Sequence, residues 1–276
     1  MKIYISVDME GISGISSVDY TLRDGRLYAM GQRLATDDAS AAVRGAFDGG
    51  ADEVIVADMH GGSLNLLADR LDPRAKLLAG VPHVPRFPLL DESVDGMVLL
   101  GYHAMVGTEN ATLEHTMNSK SWFKYCVNDV PYGEVSIDAE LAAWAGVPVV
   151  MVSGDDYLCK EAKAMLGDQI EAAQVKLGLG RQTALCLSPE EGQKRVYEAM
   201  KRACERLAAG EKFPLAAKNS PVTVRTTYKF TPDADAAAVH YGARRIDGNT
   251  VEVNFPRLAD AYGGIWQEHS DRTSKI

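Results

Sequence analysis

Short apolar runs alternate with longer mixed segments over the first part of the chain. The runs are rich in Val, Ile, Leu and Ala and have the length of buried strands; they lie at residues 3–7, 53–58, 76–79, 96–100 and 148–153. Segments with helical spacing of apolar residues separate several of them. This β-α-β-α-β alternation predicts an α/β fold with a mostly parallel sheet and helices on both of its faces.

Capping residues and glycines mark the predicted helices. Thr36 is a suitable N-cap for a first helix that ends at Gly49, and Ser188 followed by proline and glutamate is a strong helix start. The predicted helices cover residues 36–48, 64–71, 133–144, 157–177 with a break at 167, and 188–209.

The last hundred residues show a different order of elements. We predict strands at 184–187, 222–228 and 250–255 and helices at 233–241 and 257–268. These elements favour a smaller α+β subdomain after the sheet. We therefore expect an α/β core at residues 1–185 and a subdomain at residues 186–276.

Acids and histidines follow three of the predicted strands. Asp8 and Glu10 come directly after the first strand, His60 lies two residues after the second, and His103 lies three residues after the fourth. Parallel strands end at one edge of a sheet, where ligands bind in open α/β folds. Converging buried carboxylates are costly unless a cation lies between them. The pattern therefore predicts a metal site, although each residue alone has an ordinary structural explanation.

Other polar residues are more ambiguous. Asp58 is expected to cap a loop or to orient His60. Glu134 at a helix start suits the helix dipole, so the residue pattern alone does not identify it as a ligand. His115 is equally ambiguous, and the Gly/Ser-rich stretch 11–17 is expected to be a surface loop near the acids. The remaining histidines, which are interpreted as surface or packing residues, are His83, His240 and His269.

Composition narrows the class of protein. The 276 residues carry a formal net charge of −9 and no basic stripe, which argues against nucleic acid as a partner. No apolar run reaches the length of a membrane span, and the chain begins in a strand without a signal peptide, so we expect no membrane partner and a cytoplasmic location. The four scattered cysteines are interpreted as reduced packing residues.

A site built from carboxylates and imidazoles suits zinc better than calcium or magnesium, because those ions prefer oxygen ligands. Without thiolates, such a site is typical of catalysis rather than of structural zinc.

Five short motifs, in this order, resemble those of the D-aminopeptidase family of zinc peptidases. They are S-V-D-M-E-G at residues 6–11, D-M-H at 58–60, G-Y-H-A at 101–104, H-T-M at 115–117 and P-Y-G-E at 131–134, and S-G-D-D at 153–156 also fits. The likeness spans essentially the whole chain and is clearest over residues 1–160.

The resemblance implies two zinc ions per subunit. Asp8 would bridge them, Glu10 and His103 would complete one, and His60 and Glu134 the other. His115 matches the position proposed as a catalytic residue in the family. The resemblance also implies a homodecamer of two stacked pentameric rings. The chain departs from the family pattern just before His115 and over its last hundred residues, and these departures concern the implied side-chain selectivity and assembly contacts more than the metal site.

The predicted function is a two-zinc aminopeptidase that removes the N-terminal residue, possibly a D-amino acid, from short peptides by a metal-activated water. His115 would act as general acid or base or stabilise the oxyanion. The alternatives are a two-metal amidase or phosphoesterase, and a non-catalytic oligomer stabilised by its metal.

Overall fold

The strands and helices alternate along most of the chain. The computed structural model describes residues 1–80, 85–239 and 242–262. The elements are β1 (Lys2–Val7), α1 (Tyr28–Asp48), β2 (Glu53–Asp58), β3 (Lys76–Leu78), β4 (Gly96–Leu100), β5 (Trp122–Val127), β6 (Val130–Pro131), α2 (Glu134–Trp144), β7 (Val149–Asp155), α3 (Asp156–Leu166), β8 (Glu171–Gly180), β9 (Thr183–Cys186), α4 (Pro189–Ala208), β10 (Val222–Tyr228), α5 (Thr231–Ala238), β11 (Arg244–Arg245) and β12 (Thr250–Phe255).

Seven strands form the main sheet in the order β3-β2-β1-β4-β7-β8-β9. Every neighbouring pair is parallel except β8 and β9, which form an antiparallel hairpin at one edge. The predicted fold class is therefore confirmed. From β1 the chain adds β2 and β3 on one side of the sheet, and from β4 it adds β7, β8 and β9 on the other side. The carboxyl ends of β1 and β4 therefore lie at the switch point where open α/β sheets bind ligands.

The period-2 alternation of β1 divides the core between the two faces of this sheet. Ile3, Ile5 and Val7 pack in one apolar cluster that includes residues of α1 and α4. Tyr4 points to the other face, into a cluster that includes residues of α2 and α3. Because both faces are covered by helices, the central strands are buried throughout.

Helix α2 is buried between two sheets. Val135, Ala139 and Ala142 pack against the main sheet, whereas Ile137 packs against a second sheet of five strands, in the order β11-β12-β10-β5-β6. The neighbouring strands of this second sheet are antiparallel. It combines strands from residues 122–131 and 222–255, and the division of the chain at residue 185 stays a prediction.

The first helix begins eight residues before the predicted start at Thr36. Thr36 lies inside α1, where its hydroxyl donates to the carbonyl of Gln32 (2.7 Å). Gly31, an unfavourable residue within a helix, lies in this early part because a Cβ there would come within 2.0 Å of the Tyr20 carbonyl oxygen. Close packing against a neighbouring turn therefore explains why the local pattern missed this start.

Two other helix predictions were wrong. Residues 64–71 form turns, because the side chains of Asp58 and Thr36 accept the backbone N–H groups of Asn65, Leu66 and Leu67. Residues 171–177, predicted as helix, belong to β8, where pairing with β7 and β9 overrides the local spacing.

The stretch 11–17 is not the surface loop expected. Gly11, Ile12, Ser13 and Ile15 are buried next to the acids of the strand ends. The predicted cap at Ser188 and the predicted strands at 222–228 and 250–255 are confirmed. The last predicted helix is helical at residues 258–262. Several predictions fall outside the described residues. They concern residues 263–268 of that last helix, residues 240–241 of the predicted helix at 233–241, and the histidines His83, His240 and His269.

Candidate metal centre

Three adjacent strands deliver the residues predicted at the strand ends. β1 lies between β2 and β4, and Asp8 and Glu10 follow β1, His60 follows β2 and His103 follows β4. The parallel arrangement brings these four side chains to one point above the sheet, as the sequence predicts.

Two glycines allow the ends of β1 and β4 to cross closely. The backbone N–H of Gly11 donates to the carbonyl of Gly101 (2.7 Å). A Cβ on Gly11 would lie 1.9 Å from the Tyr102 carbonyl oxygen, and Gly101 has a φ of +73° with a Cβ position 2.4 Å from the Asp8 carbonyl oxygen. Any side chain at either position would push apart the segments that carry Asp8 and His103.

Asp8 is at the centre of the cluster. Its Oδ1 lies 2.8 Å from His60 Nδ1, and its Oδ2 lies 3.4 Å from His103 Nε2. Glu10 Oε2 lies 3.1 Å from the same nitrogen of His60. Each oxygen of Asp8 therefore faces a different histidine, as expected for a bridging carboxylate.

Glu134 and His115 reach the cluster from other parts of the chain. Glu134 is the first residue of α2, as its sequence context suggested, but its carboxylate points into the cluster, where Oε1 lies 3.2 Å from His103 Nε2 and 3.6 Å from His115 Nε2. The backbone N–H of Met117 donates to the same oxygen (2.7 Å). The chain thus brings together all six residues named from the sequence.

Each of the three imidazoles is oriented by a main-chain carbonyl behind it. One ring nitrogen lies at hydrogen-bonding distance from that carbonyl, which leaves the lone pair of the other nitrogen directed at the cluster. The carbonyl partners are Thr21 for His60 Nε2 (2.9 Å), Ala104 for His103 Nδ1 (3.0 Å) and Leu113 for His115 Nδ1 (2.9 Å). This arrangement fixes the tautomer, as is usual for histidines that bind metals.

The donor atoms fit metal ions. Within the described part of the chain, two sets of ligand atoms lie within 4.8 Å of one another: Asp8, Glu10 and His103, and His103, His115 and Glu134. Glu10 Oε2 and His103 Nε2 are buried without a hydrogen-bonding partner, although each has an oppositely charged group at 3.1–3.2 Å. A cation between these closely spaced ligand atoms would satisfy both of them.

The carboxylates of the first set have very different affinities for protons. Burial, and then the neighbouring charge of Glu10, raises the pKa of Asp8 to about 7. Burial also opposes ionisation of Glu10, but the attraction of His60 outweighs it and holds the pKa of Glu10 well below its usual value. Neighbouring buried carboxylates therefore repel each other unless positive charge separates them.

The second set has a similar division. Burial opposes the charge on Glu134 and on His103, but their mutual attraction outweighs it, lowering the pKa of Glu134 to about 2 and raising that of His103 to about 10. Burial, followed by repulsion from His103, lowers the pKa of His115 to about 4. His115 is therefore neutral at pH 7, with a lone pair available on Nε2.

A buried ionic network lies behind Glu134. Arg86 donates from Nε and Nη2 to the two carboxylate oxygens of Asp138 (2.6 and 2.9 Å), and its Nη2 lies 3.9 Å from Glu134 Oε2. The hydroxyl of Tyr102 donates to Asp138 Oδ2 (2.7 Å) and lies 2.7 Å from Ser6 Oγ. Sequence reasoning missed this network, because its members come from β1, α2 and two loops.

Other acids at strand ends have structural roles. Asp58 accepts the backbone N–H groups of Asn65 and Leu66 and so caps the loop, whereas the ring of His60 is held by Thr21. Asp155 caps α3 by accepting the N–H of Leu158 (2.8 Å). Its other oxygen accepts the N–H of Thr112 (2.7 Å), which fastens the segment before His115.

The fold and the site together define an α/β protein of the metallohydrolase class. The D-aminopeptidase family profile matches residues 1–266, and the chain belongs to that family. The family and the expected kind of enzyme, a metallo-aminopeptidase, are therefore confirmed.

Individual relatives agree with this assignment. The chain is 36% identical over 201 residues to a D-aminopeptidase of Bacillus subtilis (strain 168), an alignment that covers 72% of each chain. It also superimposes with a TM-score of 0.90 and 29% identity on the zinc-dependent D-aminopeptidase DppA from Bacillus subtilis, a self-compartmentalizing protease, over 100% of this chain and 99% of that one.

Among the residues that the structure describes, no helix combines the length and the apolar character that crossing a membrane requires.

Proposed function

We propose that the protein is a two-zinc aminopeptidase that removes the N-terminal residue of short peptides. The observation that carries this proposal is the convergence of three carboxylates and two imidazoles on two overlapping sets of ligand positions, with the imidazole of His60 beside the Asp8 and Glu10 carboxylates of one set. The similarity to a zinc-dependent D-aminopeptidase over the full chain length supports zinc as the metal and a D-residue as the preferred N-terminus.

Asp8 is proposed as the bridging ligand, because its two oxygens face His60 and His103 separately. Glu10 and His103 would complete one position, and this set lies within 4.8 Å. His60 and Glu134 are proposed for the other position. His115 also lies beside Glu134, and we assign it to catalysis rather than to metal binding.

When bound, zinc polarises the scissile carbonyl and lowers the pKa of the attacking water. The neutral imidazole of His115 is suited to take a proton from that water or to donate one to the leaving amine, because its Nε2 faces the cluster and its Nδ1 is held by Leu113. The carboxylates of Asp8, Glu10 and Glu134 contribute three negative charges. Two divalent ions would therefore leave one positive charge, which favours the oxyanion that develops at the carbonyl.

Exopeptidase action requires recognition of the free substrate amine. Either a bound zinc ion or one of the cluster carboxylates would bind this amine and so hold the N-terminal residue of the peptide next to the site of cleavage. A blocked N-terminus should therefore abolish turnover, whereas the length of the peptide beyond the second residue should matter less.

We further propose that the chain assembles into a homodecamer of two stacked pentameric rings, in line with the self-compartmentalizing relative. A cytoplasmic location is supported by the four cysteines, which are unpaired as expected in a reducing compartment. Light scattering on the purified protein tests the assembly, for which a mass ten times that of the chain is expected.

The decisive experiment pairs metal analysis with a substrate panel. We expect two zinc ions per chain and hydrolysis of D-alanyl peptides in preference to the matched L-alanyl peptides, with little turnover of simple amides or phosphate esters. If simple amides or phosphate esters were hydrolysed faster than the peptides, the protein would be an amidase or a phosphoesterase instead of a peptidase. Chelation should abolish activity while circular dichroism shows a folded chain; loss of the fold would instead indicate a structural metal.

A further inference from the structure

A lysine is buried beneath the segment that follows β1. Lys176 lies in the middle of β8 and exposes 2% of its surface, although lysine is rarely buried so fully. Its Nζ donates three hydrogen bonds, to the carbonyls of Glu10 (2.6 Å), Ile12 (3.0 Å) and Ile15 (2.5 Å). The three donors of the ammonium group are thus all used by main-chain oxygens from one short loop.

The arrangement resembles the binding of a monovalent cation by peptide oxygens. Three carbonyls of one loop turn inward towards a single positive charge, in the way that carbonyl oxygens replace the hydration shell of a potassium ion. Without that charge the carbonyl dipoles of residues 10–15 would be buried close together and without these partners, which is unfavourable. The loop conformation therefore depends on a cation at this position.

The same loop carries a metal-site carboxylate. The carbonyl of Glu10 binds Lys176, while its side chain extends to the cluster and lies 3.1 Å from His60 Nδ1. Further along, the backbone N–H of Ser13 donates to the buried carboxylate of Asp38 (2.9 Å). The lysine holds the loop through its carbonyls and the aspartate holds it through an N–H group, so the loop is fixed from two sides.

We propose that the Lys176 ammonium is a built-in cation that shapes the loop at residues 10–15 and acts as a positioning residue for Glu10. Its contribution to metal retention rests on the proposed function, whereas its effect on the loop does not. All three hydrogen bonds of the Lys176 ammonium go to backbone carbonyls, so its proposed effect on Glu10 is transmitted through the main chain.

The test is chemical rescue of a cavity variant. Lys176→Ala removes the ammonium and leaves space in which an ammonium or potassium ion fits between the three carbonyls. We expect zinc to dissociate to a competing chelator ~10–100-fold faster than from the wild type, in the range found when partners that support metal ligands are removed. Ammonium chloride should slow this loss, whereas tetramethylammonium chloride at equal ionic strength should not, because that ion is too large.

Two matched variants complete the design. Lys176→Met keeps most of the side-chain volume without the charge, so zinc should be lost as quickly but ammonium should bring no rescue. Lys160→Ala, which removes an exposed lysine on α3, should behave as the wild type. Wild-type dissociation rates in a folded Lys176→Ala protein, or equal effects of ammonium and tetramethylammonium, would overturn the proposal.

Hydrogen exchange separates this proposal from the proposed function. In the metal-free wild type, the amides of residues 11–15 should be protected, and Lys176→Ala should lose this protection unless ammonium is present. This result applies even if the wild type holds no zinc, which would contradict only the proposed function. If Lys176→Ala does not fold, recovery of its folding in ammonium but not in tetramethylammonium would support the proposal, and failure of ammonium to restore folding would refute it.

Discussion

The imidazole rings of His103 and His115 are stacked, with centroids 3.9 Å apart and planes inclined by 12°. Both Nε2 atoms consequently face Glu134 Oε1. Burial and then repulsion from His103 lower the pKa of His115 to about 4, whereas the attraction of Glu134 outweighs burial and raises the pKa of His103 to about 10. The stacked pair therefore supplies one histidine held by carboxylates and one neutral histidine suited to proton transfer.

Replacement of His115 by Ala should lower kcat by ~10²–10⁴-fold, the usual contribution of a positioned acid or base. Zinc content should remain at the wild-type value, because the proposed ligands are intact. Steady-state kinetics and metal analysis on the same preparation provide the measurement. Loss of one zinc per chain would make His115 a ligand instead, and wild-type turnover would remove it from the mechanism.

The acids that follow β1 should differ in their effect on metal content. Asp8→Asn should lose both zinc ions, because its carboxylate is proposed to bind at both positions, whereas Glu10→Gln should retain the ion at the other position. Glu109→Gln, at an exposed site, is the matched control and should keep both. Equal zinc loss in the two cluster variants would show that Asp8 does not bridge.

In the metal-free protein, the stabilisation contributed by protonated His103 should decrease as the pH rises. The folded pKa of about 10 lies above the ordinary value of 6.5, so the stabilisation is complete below pH 6.5 and disappears as the pH rises through 10. Lys176, whose pKa is lowered to about 8 by burial, contributes with the opposite sign over part of this range.

A variant is therefore needed to isolate the effect of His103. Urea unfolding of the metal-free wild type and of His103→Gln, compared between pH 6.5 and 10, should show a difference in free energy of unfolding that shrinks with pH. A difference that stays constant across this range would show that the ion pair of His103 with Glu134 does not form.

The Arg86–Asp138 pair should be important for stability because the Asp138 side chain is fully buried and that of Arg86 is only 13% exposed. Arg86→Met leaves Asp138 as an uncompensated buried charge and should cost about 3–5 kcal/mol of unfolding free energy. The double variant Arg86→Met/Asp138→Leu should recover most of this loss, since no unpaired charge remains. Urea denaturation measures both, and additive losses in the double variant would contradict the coupling.

Local sequence patterns were sufficient to predict the central strands of the sheet. The runs that became β1, β2 and β4 are mostly apolar because both faces of these strands are covered. Their carboxyl ends place Asp8, Glu10, His60 and His103 together by the rule for parallel strands. Burial and strand direction are properties of the sequence pattern, so four of the six cluster residues could be proposed before the fold was known. Glu134 and His115 required the family resemblance, because a helix-start glutamate and a loop histidine have ordinary local explanations.

Only the tertiary structure decided which groups hold the residues of this cluster in place. The carbonyls of Thr21, Ala104 and Leu113 orient the imidazoles, yet a carbonyl is present at every residue and its direction depends on the folded backbone. Lys176 lies in a segment whose apolar spacing predicted a helix, but pairing with β7 and β9 makes this segment the strand β8. The strand places the ammonium group against the carbonyl of Glu10, more than 160 residues earlier in the chain. The sequence by itself determined the four candidate residues at the strand ends, because their chemistry and strand-end positions are local. Contacts between distant segments decided how those residues are held.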